Sequence, residues 1–62
     1  MWIINYRGEA INRDLVTHLE YYDGWTHATT VDGGYHEIVG HDVVAEIITS
    51  NEKIWRYQHG GN

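Results

Sequence analysis

The chain has 62 residues, a formal net charge of −5 at pH 7, and no cysteine, proline or phenylalanine. A chain of this length forms one domain, and without cysteine it can form neither disulfides nor a cysteine-ligated metal site. Its four basic residues are scattered and outnumbered by nine carboxylates, which disfavours direct nucleic-acid binding. No apolar run approaches the roughly 20 residues of a membrane span, and no signal peptide is recognisable. We therefore expect a cytoplasmic protein that binds neither nucleic acid nor membrane.

The first third of the chain predicts short strands separated by turns. Trp2–Tyr6 has the composition of a strand. A turn around Gly8 leads to a short second strand at Ala10-Ile11, and a polar turn at residues 12–14 precedes a strand over Leu15–Tyr22.

The Asp23-Gly24 pair is the strongest local signal. It lies between β-prone runs, and a type I′ turn needs a positive φ at both central residues, which favours Asp-Gly. A two-residue loop here predicts a hairpin whose opposed residues are Tyr22 with Trp25, Glu20 with His27, and His18 with Thr29.

A second hairpin is predicted at Asp32–Gly34, between strands over Trp25–Val31 and Tyr35–Val39. With a two-residue loop, His36 lies opposite Thr29.

Apolar residues then occupy both faces of the sheet, with Leu19, Tyr21 and Ala28 on one side and Val16, Tyr22, Trp25 and Val31 on the other. One helix can cover only one face, which favours a partner or a second subunit on the other.

The pattern changes after residue 40. Asp42 is the predicted N-cap of a helix from Val43 through about Trp55, with an apolar stripe toward the sheet. Because Thr49–Asn51 has weak helix propensity, the alternative is a shorter helix followed by a strand or irregular arm over Lys53–Tyr57.

The predicted fold is α+β: a small antiparallel β-meander of three to four strands followed by one C-terminal helix, in two layers. We expect residues 1–57 to form the single domain and residues 58–62 to form a flexible tail. A domain of about 60 residues buries only about 60% of its unfolded surface, so a homodimer is one expected source of additional stability.

Three histidines, His18, His27 and His36, recur at nine-residue intervals on successive predicted strands. Zinc takes imidazole and carboxylate ligands, so these histidines and Glu20 define one hypothetical metal site. The spacing matches no local zinc motif, and residues two strands apart start about 9–10 Å apart. We therefore interpret these histidines as ordinary residues of amphipathic strands, and we expect no cofactor.

Catalysis has little support in the sequence. There is no cysteine nucleophile, and the single serine, Ser50, lies outside a GxSxG motif. Adjacent Thr-His pairs alternate across a strand and so face opposite ways. We expect a protein that is not an enzyme and has no catalytic residues.

Three tryptophans and five tyrosines are many for so short a chain, and both residue types are enriched at protein interfaces. Most are expected to be structural, because a small domain needs large side chains in its core. The candidate partner-binding residues combine aromatic side chains with charged neighbours: Tyr22, Asp23, Trp25, Asp32, Trp55, Arg56 and Tyr57.

Residues 7–48 also carry a family resemblance. The stretch Asn12-Arg13-Asp14-Leu15-Val16, the later Asp32-Gly33 turn and the final VVAEII segment resemble short flagellar accessory proteins of the FlbD type. In that family a glycine turn, an Asn-Pro-Asp-Leu-Ile stretch, a β-hairpin and a terminal helix occur in this order. Arginine replaces the proline here, the usual basic helix is missing, and the histidines are foreign to the pattern.

The leading hypothesis is a small protein that binds a protein partner as a regulator or inhibitor. A sharper version is an acidic inhibitor of a nucleic-acid-binding protein. One face carrying Asp14, Asp23, Asp32, Glu37 and Asp42 together would favour that version, whereas an even spread would count against it. The alternatives are an assembly or motility accessory protein of the FlbD type and a histidine-based metal-binding module.

Overall fold

The computed structural model describes residues 1–57, which form six short strands in two sheets and one α-helix. In chain order the elements are β1 (Trp2–Ile4), β2 (Ala10–Asn12), a 3-10 helix (Arg13–Leu15), β3 (Val16–Tyr22), β4 (Trp25–Thr30), β5 (Tyr35–Val39), α1 (Val44–Thr49) and β6 (Ile54–Arg56). The strand orders are β2-β1-β6 and β3-β4-β5. An α+β fold is confirmed, but the single meander ending in a helix is only partly matched. The predicted flexible tail lies outside the described residues.

The hairpin between β3 and β4 confirms the predicted register. Tyr22 lies opposite Trp25, and the two other predicted pairs, Glu20 with His27 and His18 with Thr29, are also formed. Asp23 and Gly24 have φ angles of 53° and 85°, as a type I′ turn requires. The observed register is the one that the turn chemistry predicts.

The hairpin between β4 and β5 is shifted by one residue from the prediction. Thr29 lies opposite Tyr35, and His36 lies opposite Ala28. The loop has three residues rather than two, because Thr30 and Gly34 close it and Gly33 takes the left-handed conformation at φ 86°. Since side chains alternate between faces, the shift places His36 on the other side of the sheet from His27.

A β-bulge near the start of β3 changes the face of Val16. The register shifts between Val16 and His18, so Val16 pairs with Thr30, a buried residue. An extra residue in one strand reverses the alternation on its far side. Val16 therefore packs against the core rather than on the outer face predicted for it.

The predicted helix through about Trp55 is wrong, and the shorter alternative is the observed one. The helix α1 ends at Thr49, and Ser50 takes an extended conformation. Residues of β6 then pair in parallel with β1, with Trp55 opposite Ile3. The Trp2 N–H also donates to the Lys53 carbonyl at 2.8 Å. Asp42 accepts a hydrogen bond from the Val44 N–H at 3.1 Å, although Val43 occupies the N-cap position.

The core lies between the inner faces of the two sheets and α1. Its buried side chains come from every element except β3 and the 3-10 helix, together with Val43: Ile3, Ile11, Ala28, Ile38, Val39, Val43, Ile47 and Trp55. The chain after β1 also joins the second sheet, because the Tyr6 N–H donates to the Ile38 carbonyl at 2.9 Å. The core is thus enclosed by two sheets and a helix, not by the single sheet and helix predicted.

Within residues 1–57, α1 spans six residues, and no helix has the length and apolar character needed to cross a bilayer.

Candidate functional site

An aromatic face covers the outer side of the β3–β4–β5 sheet. Directly opposed residues of antiparallel strands share a face, and Ala28 faces the core. The side chains that alternate with Ala28 therefore point outward. With Tyr6, which packs onto them, the aromatic residues of this group are Tyr22, Trp25, His27 and Tyr35. We call these five residues the aromatic face.

Tyr6 and Trp25 form one half of the aromatic face. Their ring centroids lie 5.0 Å apart with an interplanar angle of 57°. The Trp25 ring also packs over Gly40, where a Cβ would lie at an ordinary van der Waals distance of 3.7 Å from the indole. Asn5 holds the neighbouring backbone, because its side-chain amide donates to the Glu37 carbonyl at 3.0 Å. Tyr6 is therefore fixed beside Trp25 while remaining 49% exposed.

His27 and Tyr35 form the other half. Their rings stack at 4.8 Å with an interplanar angle of 16°. Tyr35 remains 58% exposed, whereas His27 is buried at 6%. The His27 Nδ1 atom is buried and has no hydrogen-bond partner among the described residues. Tyr35 thus covers an imidazole and presents its own ring to solvent.

Two carboxylates flank His27 on the same face. Glu20 on β3 and Glu37 on β5 are its direct cross-strand neighbours. The pKa of the Tyr35 phenol is raised from its ordinary value, first by partial burial and then by the negative charges of Glu20 and Glu37. Exposed aromatic rings and carboxylates therefore share one surface. Cations are attracted to both groups.

Three of the candidate partner-binding residues lie together at one end of this face. Tyr22 is 65% exposed, Trp25 is half-buried, and Asp23 is exposed in the turn between them. Asp32 lies at the other end of β4, whose six residues span roughly 17 Å. The structure therefore separates Asp32 from the other three residues.

Asp32 has a local structural role. Its carboxylate accepts hydrogen bonds from the Thr30 hydroxyl at 2.6 Å and from the Gly34 N–H at 3.0 Å. Both bonds lower the pKa of the Asp32 carboxyl below its ordinary value, and the bond from the Thr30 hydroxyl has the larger effect. The interactions close the second hairpin loop.

Trp55 is a core residue and does not form part of an exposed contact surface. It is only 2% exposed, and its indole N–H donates to a Glu46 carboxylate oxygen at 2.8 Å. Its neighbours differ: Arg56 is exposed, and the half-buried Tyr57 ring packs edge-on against His41 at 5.0 Å. Arg56 and Tyr57 line a groove with Tyr6, which continues the aromatic face toward β6.

The four hypothetical metal ligands do not converge. His36 lies on the core side of the sheet, whereas His18, Glu20 and His27 lie on the outer side. His18 contacts Glu20 at 2.7 Å, with both side chains well exposed. No group of three or more His, Cys, Asp or Glu side chains within residues 1–57 is arranged to hold a metal ion.

Comparison with known proteins returns no relative: no family model matches the chain, and no curated protein or solved structure matches it significantly. The resemblance to FlbD-type proteins therefore stays a prediction.

Sequence reasoning missed Tyr6, Tyr35 and Glu37 as members of this surface. The second hairpin register contained the signal for two of them, because a three-residue loop places Tyr35 and Glu37 on the face of His27. Tyr6 had no such signal, since its position depends on backbone pairing with Ile38.

Proposed function

We propose that the chain is a non-enzymatic binding protein whose aromatic face docks a positively charged segment of a protein partner, which it thereby regulates or inhibits. The observation that carries the proposal is the combination of exposed aromatic rings with Glu20 and Glu37 on one sheet face.

The aromatic residues have the exposure that interface residues need. Tyr6, Tyr22 and Tyr35 are each about half exposed or more, at 49%, 65% and 58%. Tyrosine provides large contact area at low cost in conformational entropy, and its hydroxyl can hydrogen-bond at the rim. Tyr6 packs against Trp25 and Tyr35 stacks on His27, so these two rings are already positioned before a partner binds.

The charge of the face favours a cationic ligand. Glu20 and Glu37 lie on the two sides of His27, and Tyr35 stacks on that histidine. A lysine or arginine over these rings would gain both a cation–π contact and a carboxylate partner. The chain's net charge of −5 attracts the same partner at longer range.

The remaining acidic residues do not support a broad mimic of nucleic acid. Asp14 lies in the 3-10 helix, Asp23 and Asp32 lie in two separate hairpin turns, and Asp42 precedes α1. This spread disfavours a continuous acidic surface that fills a nucleic-acid groove. We therefore propose recognition of a short basic segment by the aromatic face.

Affinity capture with the full chain as bait tests the proposal. Once a partner is captured, its dissociation constant is measured for the wild type and for a Tyr22→Ser/Tyr35→Ser variant. We expect the double variant to weaken binding by about tenfold or more, because few buried aromatic anchors carry most of the binding energy. Glu20→Gln with Glu37→Gln is expected to reduce the salt dependence of binding.

The matched control is Trp2→Ser. Trp2 is also an exposed aromatic residue, at 46%, but it lies on the β2-β1-β6 sheet. The Trp2→Ser variant should bind the partner with an affinity within about twofold of the wild-type value, as is usual for substitutions outside an interface. Equal affinity for the wild type and the Tyr22→Ser/Tyr35→Ser variant would show that the partner binds elsewhere.

A further inference from the structure

We infer that β3 is a self-association edge, through which two copies of the chain pair antiparallel about a two-fold axis at Leu19. The inference goes beyond the proposed function, because it concerns the hydrogen-bonding edge of the sheet and not its aromatic face.

The outer edge of β3 offers unpaired backbone groups. This strand has seven residues and is terminal in the order β3-β4-β5, and no other strand within residues 1–57 pairs with its outer edge. Tyr22 and Trp25 flank a two-residue turn and so exchange hydrogen bonds with each other. The alternation of an antiparallel ladder then directs the N–H and C=O groups of Leu19 and Tyr21 away from β4.

An apolar strip accompanies this edge on the helix side of the sheet. Tyr21 is 49% exposed and Ile48 of α1 is 55% exposed, while Leu19 is half-buried. Leu19 and Ile48 line one groove, so the strip runs continuously from β3 to α1. Pairing of two β3 strands brings two such strips together and removes them from water.

The polar side chains on the outer face of β3 favour pairing with a second copy of the chain in one particular register. Pairing centred on Leu19 places His18 of each chain opposite the partner's Glu20, twice by symmetry. A histidine N–H can donate to a carboxylate whether the ring is neutral or protonated. Within one chain these side chains already meet at 2.7 Å, so they extend over the same face. Pairing centred on Glu20 would instead oppose two carboxylates, which is unfavourable.

The small size of the chain means that self-association would add stability to the fold. A domain of about 60 residues has a small core and is commonly stabilised by disulfides, a metal or a partner subunit. Disulfides are excluded because the chain has no cysteine. The two-fold pairing would build one six-stranded sheet and would cover an edge that is otherwise open to aggregation.

A charge-swap series tests the register on the full chain by sedimentation equilibrium over a concentration range at physiological salt. We expect reversible dimerisation of the wild type and an about tenfold weaker dimer for His18→Glu, which opposes two carboxylates. His18→Glu/Glu20→Lys should restore the wild-type affinity to within about threefold. His18→Glu/Glu37→Lys has the same net charge as that variant but places lysine away from the edge, and it should not restore dimerisation.

A backbone variant tests the edge itself. Tyr21→Pro removes an N–H that β4 does not use. Tyr21→Val keeps that N–H, and its side chain is close in size to that of proline, so both variants lose the tyrosine ring equally. We expect the proline variant to be monomeric and the valine variant to dimerise. A wild type that stays monomeric at all concentrations would overturn the inference, as would dimerisation unaffected by both the proline and the charge changes. If the proline variant does not fold, the charge-swap series still decides the question.

Discussion

Thr26 is fully buried and holds the segment that leads into α1. Its hydroxyl donates to the His41 carbonyl at 2.6 Å and accepts from the Val43 N–H at 3.0 Å. One side chain on β4 thereby satisfies two backbone groups of a chain segment more than a dozen residues away. Threonine in a strand is unremarkable in sequence, so this role is visible only in the folded chain.

We expect Thr26→Val to lower the free energy of unfolding by about 1–3 kcal/mol, because it removes the hydrogen-bond partner of the buried Val43 N–H and of the partly buried His41 carbonyl. Urea denaturation followed by circular dichroism measures the effect. Thr26→Ser is the matched control, since it keeps both hydrogen bonds and loses only a methyl group, worth about 1 kcal/mol. Equal losses for the two variants would show that the hydroxyl does not hold this segment.

The lowered pKa of the Asp32 carboxyl predicts that the stability of the fold decreases at acid pH. Its carboxyl pKa is lower in the folded chain than its ordinary value, chiefly because the Thr30 hydroxyl donates to the carboxylate. Folding therefore favours the ionised form of Asp32. Its contribution to the free energy of unfolding is fully present above the pKa of the unfolded chain, and it is lost as the pH falls through the pKa of the folded chain. The affected range lies below about pH 4.

Asp32→Asn keeps an oxygen acceptor for the loop but removes the titrating carboxyl. We expect this variant to lose less stability than the wild type between about pH 4 and pH 2. Thermal unfolding at several pH values measures the difference. Asp14→Asn, in the exposed 3-10 helix, is the comparison variant. Parallel pH profiles for the wild type and Asp32→Asn would contradict the assigned role of Asp32.

At the scale of elements, β6 determines how the C-terminal segment closes the core. Trp55 inserts between β1 and α1: it lies opposite Ile3 and donates to Glu46. Thr49–Asn51 ends the helix, and the three residues of β6 then run parallel to β1. A parallel pair needs a crossover connection, and here that connection contains β2, the whole β3-β4-β5 sheet and α1.

We expect Trp55→Ala to destabilise the fold by about 3–5 kcal/mol, because truncation of a buried aromatic residue leaves a cavity. Denaturant titration followed by far-UV circular dichroism is the suitable measurement, since the variant loses a fluorophore. Trp2→Ala is the matched control, because Trp2 is on the paired strand but 46% exposed, and it should have a clearly smaller effect. Similar losses for both would mean that β6 does not close the core.

At the scale of the whole molecule, stability and self-association are linked. A chain that binds a second copy only when folded unfolds at a temperature that rises with its concentration. We expect the melting temperature of the wild type and of Tyr21→Val to rise with concentration, and that of Tyr21→Pro to stay constant. Differential scanning calorimetry at several concentrations measures this dependence. A constant wild-type melting temperature would argue against coupling between folding and pairing of β3.

The proposed binding surface and the proposed edge share one strand but use different atoms. Tyr22 belongs to the aromatic face, while Leu19 and Tyr21 direct backbone groups outward at the edge. Their side chains also point to opposite sides of the sheet. A dimer would therefore present two aromatic faces on one side of a continuous sheet, so that a basic partner with repeated sites could bind with increased avidity.

Features that depend on a few neighbouring residues follow from the amino-acid sequence. Asp23-Gly24 specified a turn type and therefore the pairing of β3 with β4, because positive φ angles at two adjacent residues restrict the loop to one geometry. Composition also indicated a small α+β domain and short strands. The weak helix propensity of the Thr49–Asn51 segment agrees with the observed end of the helix at Thr49 and not with the longer predicted helix.

Features that depend on contacts between distant residues follow from the folded arrangement of the chain. Two glycines after Asp32 permit loops of either two or three residues, and hydrogen bonds between Thr30, Asp32 and Gly34 select the longer one. The pairing of β6 with β1 joins the two ends of the chain, and local propensity contains no information about it. The charge and the excess of tryptophan and tyrosine predict a binding protein, and this stays a prediction. Burial then assigned Trp55 to the core and left Tyr6, Tyr22 and Tyr35 in contact with solvent.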